Sequence, residues 1–175
     1  TRNLGKNATL LVLDSGHMKT HSQQNDFIED QLLIHKDTPH RLALYHAPLY
    51  PNHRDEFDAL ANAGKNNWLS LFDKHQLTSA FENHDHTLKR THILKENSIA
   101  DKGTVYVGDG CWGKNGRKSN PQKWYLQKAE SSAHVWSVYI DKDYLEYEAS
   151  GENAVIYDHF RLSNTKVKTS IEELM

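Results

Sequence analysis

The chain has 175 residues, 37% of them hydrophobic and 10% aromatic, with a formal net charge of -2. These values suit one globular domain with its own core; they exclude a disordered chain, and the scattered basic residues leave no nucleic-acid-binding patch. No apolar run approaches the roughly 20 residues of a membrane-spanning helix, and the single Cys111 excludes an internal disulfide framework.

The chain opens on TRNLGKNATLLVLDSG, without an initiator Met, and enters an apolar run almost at once. No targeting signal is legible there, so the compartment stays open. The opening has the look of a piece of a longer protein. ATLLVLDSG reads as a buried strand that ends in a loop at its carboxyl end. SQQNDFIEDQLLIHKD follows with Phe27, Ile28 and Leu32 at amphipathic-helix spacing. HRLALYHAPLY is a second strand, ended by Pro48 and Pro51, and a helix around NNWLSLFDKHQ leads to the short strand LTSAFE. Such alternation predicts an α/β layer, with sites at the carboxyl ends of the strands.

The second half changes character. GTVYVGDG, AHVWSVYID, YLEYEAS and AVIYDHFRL are short, rich in β-branched and aromatic residues, and separated by Gly, Asn, Asp or Ser, so they read as antiparallel strands. GDGCWGKNGRKSNP, over 108–121, reads as a surface loop flanked by Trp112 and Trp124. Residues 1–162 form the expected domain portion, and 163–175 a polar tail open to helix.

Twelve His is the most unusual feature of the composition. His46 follows one predicted strand, and His84 and His86 follow another in FENHDHTLKRT. Neighbouring strands would gather three imidazoles at one rim, which suits a transition-metal site. His84 and His86 alternate along an extended chain and would point opposite ways, each toward a different ion. A polar turn closed by His–Asp hydrogen bonds fits the same residues. His17, after LDSG, lies in another strand-end loop.

The succession VLDSG, FIEDQL, ALYHAPLY, NHDHTLKRT, GTVYVGDG and VIYDHFRL resembles the carboxyl-terminal half of calcineurin-like metallophosphoesterases, especially the purple-acid-phosphatase-like branch. The resemblance runs from about Thr9 to Leu162. It implies half of a β-sandwich flanked by helices, with a mixed sheet in the first half and mainly antiparallel strands in the second, an α/β (α+β) class. It also implies a dinuclear centre of two divalent or trivalent ions (Fe, Zn or Mn), in which His46 and His84 bind one ion and His86 the other. Phosphoester hydrolysis by metal-bound hydroxide would follow, with His53 as proton donor, Arg54 and Arg90 on the phosphate, and Asp85 orienting an imidazole.

Two departures stand out. Position 83 is Asn where the family has Gly, in a turn that favours a permissive backbone. The family's D-x-H, G-D-x-x-[DY] and G-N-H-[DE] motifs do not occur in their places: GDGCW fails at its last position, and NHD follows the H-x-P loop where family order puts it before. The bridging carboxylate is therefore expected in an amino-terminal half outside this sequence, as a separate chain or replaced by a homodimer pairing exposed sheet edges, and the chain alone is expected to be inactive. A non-catalytic metal- or phosphate-binding module is the alternative.

Overall fold

The computed structural model describes residues 1–108, 111–164 and 168–174. In the first half, strands β1 (Arg2–Leu4), β2 (Ala8–Val12), β3 (His40–Tyr45) and β4 (Ser79–Glu82) alternate with helices α1 (Asn25–Ile34) and α2 (Ala59–Lys74). Then come β5 (Leu88–Thr91), β6 (Leu94–Lys95), β7 (Ser98–Ile99), β8 (Val105–Gly108) and β9 (Leu126–Glu130). The last four strands are β10 (Val135–Ile140), β11 (Tyr144–Ser150), β12 (Ile156–Asn164) and β13 (Thr169–Glu173).

Seven strands form one mixed sheet in the order β1-β2-β3-β4-β8-β5-β9. Its centre, β2-β3-β4-β8, is parallel; helical crossovers link β2 to β3 and β3 to β4, and β5 to β7 lie between β4 and β8 in the chain. β5 closes back antiparallel between β8 and β9. Four antiparallel strands, β10 to β13 in order, make the second sheet. This is the expected class: a mixed sheet and an antiparallel sheet packed as part of a helix-flanked sandwich.

Alternation along the central strands decides what each face buries. Leu11, Ala43, Tyr45 and Ala80 point toward the helices, where Ile28 and Leu32 of α1 and Trp68 and Phe72 of α2 complete one core. Ala8, Leu42, Val105 and Val107 point the other way, against Leu145, Tyr147, Phe160 and Leu162 of the second sheet. The Tyr147 and Phe160 rings stack with centroids 4.7 Å apart. Helix α2 is capped by Asp58, whose side chain accepts from Leu60 N at 2.9 Å. It buries Ala61, Gly64, Trp68 and Phe72. Gly64 lets the helix close on the loop after β3, because a Cβ there would lie 2.9 Å from Leu49 Cδ1.

The tail corrects a sequence expectation. Residues 169–173 are the edge strand β13, in place of a helix. Thr169–Glu173 carries one large apolar residue, Ile171, which packs against the core between the sheets. Pairing with β12 sets its conformation, and local propensity does not. β5 and β9 were also invisible to pattern reading, since Lys89 and Arg90 of β5 are charged yet buried.

Candidate active site at the carboxyl ends of the parallel strands

The parallel strands deliver three loops to one rim. The loop after β2 brings Ser15, whose Oγ accepts from His46 N at 2.9 Å and Ala47 N at 2.8 Å. The loop after β4 is tied to the end of β3: Asn83 N donates to His46 O at 2.9 Å, and Asn83 Nδ2 donates to Tyr45 O at 2.8 Å. Held this way, His46 Nε2 and His84 Nδ1 lie 2.7 Å apart. His17 stands edge-on to His46, ring centroids 5.6 Å apart.

The backbone of the turn is strained at its histidines. His84 has φ 76° and His86 φ 54°, left-handed values that cost a β-carbon-bearing residue about 1–3 kcal/mol each. Asn83, where the resemblance implies Gly, is not among the positive-φ residues. Burial, reinforced by Arg54 and His46, pushes the His84 imidazole down to about 4. His84 therefore stays neutral at ordinary pH and keeps a lone pair for a ligand or donor.

Beneath the rim lies a pair that pattern reading missed. Glu82, the last residue of β4, is 1% exposed and bonds four donors. Its Oε1 accepts from Tyr45 Oη and Leu49 N, each at 2.7 Å, and its Oε2 from Tyr50 N at 3.3 Å and Lys89 Nζ at 2.5 Å. Lys89 also donates to Tyr50 O. One buried ion pair thus fastens the loop after His46 to the strands on either side of the His84 turn.

The remaining candidates fall in different places. Asp85 is fully buried; its Oδ2 accepts from His53 N at 2.9 Å and its Oδ1 lies 3.4 Å from Arg54 Nε. It anchors the 52–54 backbone and the Arg54 guanidinium, a correction to the expectation that it orients an imidazole. His53 Nδ1 is 2.9 Å from Lys118 O, which fixes the proton on Nδ1, and no hydrogen bond joins it to His46 or His84. Arg54 and His84 share a cleft of about 50 Å³ with Pro48, Pro51 and Leu60.

Arg90 is the clearest correction. Its Nε and Nη2 grip Asp158 of β12 at 2.8 and 3.0 Å, Nη2 also reaches Glu173 at 2.9 Å, and its guanidinium lies 4.4 Å from the centre of the Phe160 ring. At 2% exposure it bolts the two sheets together and takes no place at the rim. The sequence could not show this because the partners lie far along the chain.

Residues 111–121 form a strap across the turn. Asp109 and Gly110 lie outside the described residues, as does the middle of the GDGCW stretch. From Cys111 onward the strap is fastened: Arg117 N donates to His86 O at 2.9 Å, Arg117 Nη1 to His84 O at 3.3 Å, and Asn120 N to Asn52 Oδ1 at 2.8 Å. Trp112 and Trp124 are 56% and 43% exposed, and Trp124 packs on Tyr125.

The imidazoles were tested against a dinuclear centre by their donors. His46 and His84 converge, but among the described residues no group of three or more His, Cys, Asp and Glu is placed to hold a metal ion. Two adjacent cations need carboxylates to offset their repulsion, so the complete group does not fit within these residues. A cavity of about 530 Å³ lies at the opposite end of the sheet, among Phe72, Asp73, Lys95, Lys102 and Thr104. Its wall mixes acids and lysines and lies far from the imidazoles.

No protein-family model matches the chain, and no curated protein sequence matches it. Its fold is similar to that of the purple acid phosphatase PPD1 from yellow lupin (Lupinus luteus) seeds, with TM-score 0.77 and 18% identity, over 91% of this chain and 32% of that one. It is also similar to GAP50, the anchor in the inner membrane complex of Plasmodium, with TM-score 0.55 and 13% identity, over 96% of this chain and 50% of that one. The chain thus spans about a third of the first structure and half of the second. The fold is similar to part of the purple acid phosphatase fold.

Proposed function

We propose that this chain is the carboxyl-terminal part of a metal-dependent phosphoester hydrolase. In this reading His46 and His84 serve one ion and His86 a second (Fe, Zn or Mn), and the carboxylate ligands come from residues outside these 175. The observation that carries it is the 2.7 Å approach of His46 to His84 at the carboxyl ends of neighbouring parallel strands. The phosphatase-like fold and its partial coverage of the solved phosphatase support it.

The roles of the chain's own side chains follow from their chemistry. Arg54 offers a guanidinium beside the cleft at His84, suited to a phosphate oxygen. His53, protonated on Nδ1 by its bond to Lys118 O, keeps Nε2 as the nitrogen that would exchange a proton with a leaving group. The ion pair Glu82–Lys89 holds the two imidazole loops in register. Val12, 54% exposed, and Leu4, 38% exposed, leave apolar surface near one edge of the mixed sheet. The completing half would cover it, as a separate polypeptide or as a second copy pairing sheet edges.

The test is reconstitution. The chain is mixed or co-expressed with the upstream half of its parent, and hydrolysis of p-nitrophenyl phosphate is followed. Turnover should appear only with both halves and vanish with His46→Ala; equal turnover by the chain alone would sink the divided-site reading. A second reading, a non-catalytic metal- or phosphate-binding module, draws on the anchor description of the second structural neighbour. It predicts phosphate binding without turnover even after reconstitution.

A further inference from the structure

Arg117 is half-buried where the strap crosses the histidine turn, and its hydrogen bonds are few. Its backbone N–H goes to His86 O and one Nη1–H to His84 O. Among the described residues no carboxylate pairs with it, whereas Arg90 holds Asp158 and Glu173, Arg161 holds Glu146 and Glu172, and Arg54 faces Asp85. Three described acids of the neighbouring loops have other partners. Asp85 takes His53 N and Arg54, Asp58 caps α2, and Asp55 accepts from Phe57 N. A guanidinium carries five N–H donors in a planar fork, so among the described residues most of this one's donors have no protein acceptor.

A guanidinium whose fork the protein leaves largely open can receive the oxygens of an anion. Arg54, in the cleft at His84, carries a positive charge that Asp85 partly offsets. Both guanidiniums neighbour His84: Arg117 Nη1 donates to His84 O, and Arg54 lines one cleft with His84.

We propose that Arg117 is a phosphate-contacting residue that, with Arg54, forms a two-guanidinium anion site beside His84. The ligand class is a tetrahedral oxyanion: the phosphoryl group of a phosphoester, or inorganic phosphate. Fork geometry suits two of its oxygens, and the strap carries the fork to the rim. Identification of the anion as a substrate's phosphoryl group rests on the phosphoesterase reading; the anion site itself does not.

The test is a titration of the 175-residue chain with inorganic phosphate at constant ionic strength, followed by the Arg Nε–H and His side-chain signals in NMR. Wild type should bind, and Arg117→Gln should weaken binding about tenfold or more, the scale of a charge-assisted hydrogen bond, while keeping a donor for His84 O. Arg117→Lys should recover part of the loss, and Lys114→Ala, on the exposed strap, should change little. No binding by wild type, or equal binding by Arg117→Gln with an unchanged backbone spectrum, overturns the proposal. A parallel zinc titration separates the readings. Loss of phosphate binding in Arg117→Gln upholds the anion site, and two equivalents of zinc held tightly by wild type would count against the divided metal site. Weak zinc uptake with phosphate binding indifferent to Arg117 overturns the anion site and leaves the divided metal site standing.

Discussion

Glu82 and Lys89 form an ion pair in which neither side chain is exposed, and Lys89 donates as well to the carbonyl of Tyr50. The pair thereby joins the last residue of β4, the middle of β5 and the loop that follows His46. A charge left alone at such depth is costly, so removing one partner should destabilise the fold by about 3–5 kcal/mol. Urea unfolding of Glu82→Gln and Lys89→Met should each show that scale of loss. The double variant should recover much of it, since two apolar or neutral groups strand no charge. Additive single losses in the double variant would mean that the pair is not the unit holding the loop.

Arg90 offers a contrast with Arg117. Its guanidinium is spent between the sheets on Asp158 and Glu173, so Arg90→Lys, which cannot keep the bidentate grip, should lower stability by about 1–3 kcal/mol. Phosphate affinity should not move. A selective loss of phosphate binding with unchanged melting would restore Arg90 to the rim.

His40 makes the fold sensitive to acid. It is 1% exposed, its Nε2 lies 2.8 Å from Asp141 O in the loop before β11, and its Nδ1 is buried with no partner. The carbonyl can only accept, so Nε2 carries the proton and Nδ1 is bare. Burial lowers its pKa in the fold, against the opposing pull of the Asp141 carbonyl. The unfolded chain therefore takes up this proton first, near its ordinary value of about 6.5. The stability carried by neutral His40 is complete above that pH and is lost as pH falls through the lower folded value. His21, also buried with its pKa lowered by burial, adds in the same direction. Melting temperature should fall as pH drops below about 6.5, and the fall should be smaller in His40→Gln, which keeps a donor for the carbonyl. Identical pH profiles would show that His40 does not contribute.

The parts of the fold legible in the sequence were those whose pattern is local. Ala8–Val12 and His40–Tyr45 are apolar runs followed by loops, and α2 repeats its buried residues at helical spacing. The meeting of His46 and His84 was legible for the same reason, since both follow adjacent strands of one parallel sheet. What stayed hidden depends on distant partners. Lys89 and Arg90 hide β5 because their charges are neutralised by Glu82 at the end of β4 and by Asp158, which lies far from Arg90 in the chain. Ser15, Asn52 and Arg117 lie in loops whose positions come from the packing of several elements. His86, expected to converge with His46 and His84, belongs to no group placed to hold a metal among the described residues.

The most direct measurement is metal content: the chain is purified, dialysed and analysed for Fe, Zn and Mn per mole of protein. If His46 and His84 are half of a divided site, the chain should hold well under one equivalent, lost altogether in His46→Ala. Two tightly held ions per chain would contradict that, and would place a complete centre within these residues.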